Sequence, residues 1–287
     1  MAQIVKLVQG SPEWHEHRQL HRNASETPAV LGVSPWVTPY QLWLHRTGRA
    51  EPAVNPAMRR GSELEPAARE AYEQLTGNVM QPLVLVDGEY SASLDGLTFD
   101  GDLVLEVKCP ARGRESDLWE QVQAGQLPEH YRWQVEHQLM VSGAKLAHVY
   151  VFDGRQGVLL EQRPDSARWM EIHRGWEAFM RFVVRDAPPP LTDRDTVDRD
   201  DAAWEEAAKR FLAAKAAAEE SAAQLEVARQ TLVGLTGHPS ERGAGVCVTR
   251  YWRAGAIDYK RVPQLAGVDL EGFRGPSREE VRVTVAR

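Results

Sequence analysis

The chain has 287 residues, 43% hydrophobic and 26% charged, which is enough apolar material for a sizeable core and too much for wholesale disorder. No apolar run approaches the ~20 residues that span a bilayer, the opening MAQIVKLVQGSPEW carries no signal-type apolar leader, and two cysteines make neither a disulfide framework nor a zinc site by themselves. The expectation is a soluble protein of a reducing compartment, and the uneven net charge of −7 (−6 over residues 1–190, −1 over 191–287, +4 within 242–287) leaves room for nucleic acid only in a local groove or through metal ions.

Ser11-Pro12 ahead of EWHEHRQL predicts a helix with a serine cap and proline in its first turn. Ser25 is placed to cap a short second helix, SETPAVLG, and Thr38-Pro39 to open a third, YQLWLHRTG, which Gly48 ends. A longer helix is predicted over about 55–75, with Met58, Leu64, Ala68 and Tyr72 on one side and Gly77 as its stop. The period then changes. VMQPLVLVDG, YSASLDGLTF, DLVLEVKC, LAHVYVFDG and GVLLEQR read as strands between turn residues. Helices at about 116–123 and 128–141 separate the third strand from the fourth, and a long helix at about 165–185 follows the fifth. This order predicts an α/β domain built on a mixed sheet.

Pro188, Pro189 and Pro190, followed by the charged LTDRDTVDRDD, end that helix and place a boundary. The reading is a first domain over 1–187, a linker over 188–200 and a second part over 201–287. The second part opens with a helix over about 201–235. Its seam at spacings of three and four is Trp204, Ala207, Phe211, Ala214, Ala218, Ser221, Leu225, Ala228, Leu232 and Leu235. The plain expectation is that this helix docks on its own domain. GVCVTRYW, AIDYKRV and VRVTVAR read as strands, giving a small α+β appendage.

The chemistry concentrates in Ser93-Leu94-Asp95-Gly96 and Leu105-Glu106-Val107-Lys108. Glu106 and Lys108 are two apart on a strand and share a face, with Leu105 and Val107 on the other. If Asp100-Gly101 is a two-residue hairpin turn, Leu97 pairs with Val104 and Asp95 with Glu106, which sets two carboxylates opposite each other. Like charges there are destabilising, and a divalent cation removes the conflict. Hard oxygen ligands suit magnesium or manganese better than zinc. A lysine beside such a site can orient and help deprotonate water, or offset phosphate charge. Taken singly, Asp95 is an ordinary turn residue and Glu106 with Lys108 a solvated charge ladder, and the pattern by itself is loose.

Several stretches in order sharpen it: Gly10-Ser11-Pro12-Glu13-Trp14-His15 with Arg18, Asn23-Ala24-Ser25, Leu31-Gly32-Val33-Ser34-Pro35-Trp36, Gly61-Ser62-Glu63-Leu64-Glu65-Pro66, Ser93-Leu94-Asp95-Gly96, Leu105 to Pro110, and Tyr131 to Gln138. Across residues 9–153 the chain resembles the lambda exonuclease, or YqaJ-like viral recombinase, branch of the PD-(D/E)XK nucleases. The tail, from Ile257-Asp258-Tyr259-Lys260 to Asp269-Leu270-Glu271-Gly272-Phe273-Arg274, is similar to tails of longer YqaJ-like proteins. The resemblance implies a restriction-endonuclease-like α/β core, a central mixed sheet flanked by helices, with the long helix and small α+β appendage added.

It also implies roles. Asp95 and Glu106 would be the main metal ligands, with the Val107 carbonyl as a neutral ligand and Glu65 completing the acidic set. Lys108 would be the catalytic lysine, with Gln134 beside it. Arg18, Ser25 and Ser93 would form a pocket for the 5′ phosphate of a DNA end, by bidentate guanidinium contact and helix-terminal N–H groups. Without the resemblance, Glu65 reads as a helix carboxylate paired with Arg69, Gln134 as a polar helix residue, Arg18 as a surface ion pair and Ser25 as a simple cap. Trp14, Trp36 and Trp43 lie near the implied DNA entrance, where aromatic residues can stack on bases; core packing is the expectation for at least two of them. His15, His17 and His21 are not read as a metal site.

The implied activity is a magnesium-dependent exonuclease, with manganese as substitute and two ions per site. It would digest one strand of duplex DNA from the 5′ end, leaving 3′ overhangs for single-strand annealing. Implied with it are an annealing-protein partner, a homo-oligomer (a trimer ring) and the cytoplasm of a bacterial host, with a phage or prophage origin. The alternatives are an endonuclease or single-strand nuclease of the same fold, from which only the Arg18, Ser25 and Ser93 pocket discriminates, and a non-catalytic DNA-end or coiled-coil adaptor, against which the retained Asp95, Glu106 and Lys108 speak.

Overall fold

The computed structural model describes residues 2–51, 56–256, 258, 261–265, 267–268, 270–273 and 275. They form two compact units, Met1–Thr196 and Val197–Arg287.

The first unit begins with a short strand β1 (Gln3–Val5) and helix α1 (Pro12–Leu20), whose cap Ser11 accepts from the Trp14 N–H. A two-residue strand β2 (Arg22–Asn23) leads through a 3-10 turn (Ala24–Glu26) into one turn of helix, α2 (Thr27–Val30). Ser25 therefore sits inside the turn and does not cap a helix as expected; Asn23 precedes the turn and makes no side-chain cap. Helix α3 (Pro39–Arg46) starts on a full capping box between Thr38 and Gln41. Helix α4 (Pro56–Thr76) buries Ala68 and Tyr72 and leaves Met58 exposed.

Strands β3 (Gln81–Asp87), β4 (Tyr90–Leu97) and β5 (Leu103–Lys108) form an antiparallel meander. Helices α5 (Asp117–Gln123) and α6 (Glu129–Ser142) cross back to β6 (Leu146–Phe152), which lies parallel to β5. Strand β7 (Gly157–Gln162) and helix α7 (Ser166–Val184) complete the unit. The sheet order is β1-β3-β4-β5-β6-β7, with β2 added parallel to β4. The sheet is mixed, as the strand and crossover pattern predicts.

Helices cover both faces. Tyr72 and Ala68 of α4 pack on Leu105, Val107, Tyr150 and Phe152. On the other face Val135 and Leu139 of α6 pack with Leu94, Leu97, Val104 and Val149. Helices α2, α3 and α7 build a flanking cluster around Trp43, Trp133 and Trp176. The chain stays with this unit past the three prolines. Thr38 Oγ1 donates to Asp195 Oδ1 (2.5 Å), and Arg194 Nη1 donates to the Ser34 carbonyl (2.5 Å), within the stretch read as a linker.

One irregularity matters for the site. Between the pairs Gln81↔Leu97 and Leu83↔Leu94, β3 advances two residues and β4 three. Strand β4 thus carries an extra residue at Asp95-Gly96, a bulge of the kind that re-aims a side chain. Gly96 is required there: a Cβ would lie 2.7 Å from Met80 Cβ and 3.2 Å from Leu105 Cβ.

The second unit contains helix α8 (Ala202–Leu235), capped by Asp201, and a hairpin of β8 (Ser240–Gly243) and β9 (Val246–Thr249). No residue of α8 is buried, so among the described residues the expected docking of the helix on its own domain is not formed. VRVTVAR lies outside the described residues, as do Ile257, Tyr259 and Lys260, shared by AIDYKRV and the tail match, and Asp269 and Arg274 of the tail match. No helix among the described residues is long and apolar enough to cross a membrane.

Candidate active site

Two elements converge on Glu106. Strand β5 carries it on the α6 face of the sheet, where it is 3% exposed. Helix α6 presents Gln134 and Gln138 one turn apart on that face. Gln134 Nε2 donates to Glu106 Oε1 (2.7 Å), and Gln138 Nε2 donates to Glu106 Oε2 (2.5 Å). Lys108 Nζ donates to Glu106 Oε1 (2.5 Å) and to Gln134 Oε1 (3.3 Å). Both carboxylate oxygens are thus held by charge-assisted bonds, which is what a buried carboxylate requires. The ring of Tyr131, which precedes Gln134 by about one turn on α6, lies 4.7 Å from the Lys108 ammonium.

Asp95 is placed by the bulge. The ladder between β4 and β5 runs through Leu97↔Val104 and Gly96↔Leu105, the predicted register. One step further, Asp95 makes no ladder pair with Glu106; its Oδ2 instead accepts from the Val107 N–H (2.7 Å). Glu65 on α4 turns to Arg69, whose Nη1 donates to Glu65 Oε1 (3.2 Å) and to the Asp95 carbonyl (2.8 Å). The ordinary i,i+4 pair and a place beside the acidic cluster are therefore both found for Glu65.

The electrostatics follow from this crowding. Burial first, then the charges of Glu106 and Glu65, hold the Asp95 carboxyl well above the usual carboxylate range, and Lys108 offsets them only in part. Burial opposes the charge on Lys108, but Glu106, Tyr131 and Asp95 outweigh it and raise its pKa. The neighbouring Cys109 thiol is pushed up to about 11 by burial and by Asp95 and Glu65. Among the described residues, no three His, Cys, Asp or Glu side chains form a ready-made ion cage. Asp95 and Glu106 nevertheless suit a hard divalent cation: they are buried oxygen donors whose mutual repulsion a cation relieves. Glu65 would join them on leaving Arg69.

A second cluster adjoins the first along β4. Arg18 Nη2 donates to Ser25 Oγ (3.1 Å) and to Glu26 Oε1 (3.3 Å). The Arg18 guanidinium lies 4.7 Å from the Trp14 ring centre, and Trp14 Nε1 donates to Ser93 Oγ (3.0 Å). Trp14 thus ties Arg18 and Ser25 to Ser93. Glu26 is held in turn by Arg46 and by Asn23 Nδ2 (3.0 Å).

The tryptophans divide otherwise than expected. Trp43 alone of the three is in the core, donating to the Phe182 carbonyl (3.2 Å). Trp14 is partly buried. Trp36 is exposed and meets His130 edge-on, with centroids 4.9 Å apart.

Sequence reasoning gives no site role to Gln138, Arg69, Tyr131 or Glu26. Gln138 has a usable signal, its spacing of four from Gln134. Helical spacing marks Arg69 only as the partner of Glu65. Nothing local marks Glu26 as the carboxylate that orders Arg18.

The site thus sits on a mixed sheet, with an aspartate at a strand bulge and a Glu-x-Lys strand next to it. The fold is shared by two solved structures of the alkaline exonuclease LHK-Exo from Laribacter hongkongensis. One matches with a TM-score of 0.53 at 23% identity, and the other, a complex with dAMP, with 0.52 at 25% identity. Each match covers 61% of this chain and 94% of the other. Residues 13–145 match the model of the YqaJ-like viral recombinase domain. The uncharacterized protein YqaJ of Bacillus subtilis (strain 168) is 28% identical over 145 residues, which are 48% of this chain and 44% of YqaJ. The match thus spans less than half of that relative's length. Within the first unit, residues 13–145 are thus similar to the YqaJ-like viral recombinase domain, and the fold is that of the LHK-Exo structures.

Proposed function

We propose that the protein is a magnesium-dependent exonuclease that removes nucleotides from the 5′ end of one strand of duplex DNA. The observation that carries this reading is the adjacency of the two clusters on β4. Ser93 and Asp95 are two residues apart, roughly 7 Å along a strand, about the span of one nucleotide. A terminal phosphate held by Arg18, Ser25 and Ser93 leaves the next phosphodiester beside Asp95, Glu106 and Lys108.

Asp95 and Glu106, with the Val107 carbonyl as a further oxygen, would hold a divalent cation, which would supply Lewis acidity toward the phosphodiester and lower the pKa of a water. Lys108, kept cationic by its carboxylate neighbours, offsets phosphate charge and orients the scissile group. Gln134 fixes both Lys108 and Glu106, and Gln138 fixes the second Glu106 oxygen. The protein grips phosphates, so base sequence is not read. The resulting 3′ overhang, a single-strand annealing partner and a homo-oligomeric ring of three chains belong to the same proposal and rest on the family resemblance.

The test is a strand-resolved digestion of linear duplexes with 5′-phosphate or 5′-hydroxyl ends, with magnesium or EDTA, beside a closed circle. The expected result is magnesium-dependent loss from phosphorylated 5′ ends, an intact circle, and no cleavage by Lys108→Ala with DNA binding retained. Nicking of the circle, or turnover by Lys108→Ala equal to that of the unchanged chain, overturns the reading.

A further inference from the structure

We propose that α8 pairs with the same helix of a second copy of this chain, antiparallel, in the register that sets Ala218 against the partner's Ser221. The helix is 34 residues long, about 50 Å, and no residue of it is buried. Its seam alternates steps of three and four from Trp204 to Leu235 without a break, the repeat of a left-handed coiled coil. Every charged residue of the helix lies off that seam, while Trp204, Leu225 and Leu235 on it are 54%, 71% and 76% exposed.

The order of sizes along the seam selects the orientation. In the antiparallel register Ala207 meets the partner's Leu232, Phe211 meets the partner's Ala228, and Ala214 meets the partner's Leu225. Large faces small in each of these three layers, which keeps the spacing between helices even there, while Trp204 meets the partner's Leu235 at each end and Ala218 the partner's Ser221 at the centre. A parallel, in-register pair stacks Phe211 on its own copy and Ala214 on its own copy, alternating swollen and hollow layers. Charge selects the same way. Parallel pairing brings Arg210 against the partner's Lys215 on the flanks of the seam, a like-charge contact made twice. Antiparallel pairing removes that contact and sets Lys215 within two residues, about 3 Å along the axis, of the partner's Glu226 on the same flank.

The test uses the full chain in sedimentation equilibrium. The expected mass of the unchanged chain is twice that of Ala218→Glu where the first unit stays single, and at least twice where the first unit forms a ring. Ala223→Glu, the same substitution off the seam, should keep the mass of the unchanged chain. Glutamate is a good helix former, and circular dichroism checks that both variants keep their helicity. For orientation, Ala207→Cys chains are mixed with Leu232→Cys chains in a Cys247→Ser background and mildly oxidised, and mixed crosslinks should dominate. Equal masses for all three proteins, or a Leu232→Cys chain that crosslinks efficiently to itself, overturns the proposal. Equal masses would leave another protein as the occupant, and self-crosslinking would make the pair parallel.

Discussion

Asp95 is the residue at which stability and function pull apart. Its folded-state pKa is raised, chiefly by burial and then by Glu106 and Glu65. A proton on Asp95 therefore favours the folded state, and that contribution is present at low pH and lost as pH rises through the raised value. Without divalent cations, the unfolding temperature should fall across that window, and Asp95→Asn should remove the fall. The variant keeps an acceptor for the Val107 N–H and should melt higher by roughly 2–4 °C for each kcal/mol of repulsion relieved, while losing cleavage. Thermal unfolding in EDTA across pH, beside a digestion assay, checks both halves. Arg18 makes the complementary case. Its ion pair with Glu26 is partly exposed and of small worth, and Glu26 keeps Arg46 and Asn23. Arg18→Ala should leave folding nearly unchanged and cut the preference for 5′-phosphorylated over 5′-hydroxyl ends at least tenfold, read as the ratio of kcat/KM values.

At the scale of elements, α6 and the β4 bulge do the positioning. Gln138→Ala leaves one oxygen of a buried carboxylate without its donor, and supporting bonds of this kind are worth roughly 10–100-fold in activity. The expected change is in kcat, with DNA affinity kept; an unchanged kcat would show that Gln134 and Lys108 hold Glu106 by themselves. Gly96→Ala drives a methyl into Met80 and Leu105, at a cost of about 1–3 kcal/mol. Chemical denaturation of the variant measures it. Most helices and strands were legible because caps, stops and period change are local signals: Ser11, Thr38 and Gly77 lie where the elements begin or end. The strands β1, β2 and β8 were not, because pieces of two to four residues carry no period. Ser25 misled because a serine ahead of a proline-containing helix looks like a cap, whereas its hydroxyl is taken by Arg18.

At the scale of the whole molecule, the charge balance limits how DNA is held. A net charge of −7 argues against a broad basic surface for a duplex. Affinity for a DNA end should come from a few phosphate contacts and fall as a power of salt concentration. Titrations from about 50 to 200 mM salt should give a line in log–log form, and Arg18→Ala should flatten its slope by about 1. A slope near zero would contradict phosphate-based gripping.

The sequence by itself determined the period of each main element, the order that makes the sheet mixed, the register of β4 on β5, and the residue types able to hold a hard cation and a phosphate. These are set by neighbours along the chain, through caps, turns and alternation. The tertiary structure decided which of those residues meet. It placed Gln138 beside Glu106 across 32 positions and Trp14 against Ser93 across 79. It turned Asp95 to the Val107 N–H through a bulge, and it left α8 without a buried residue. Such contacts join elements distant in sequence, and packing, burial and charge repulsion select them only once the sheet has brought the elements together.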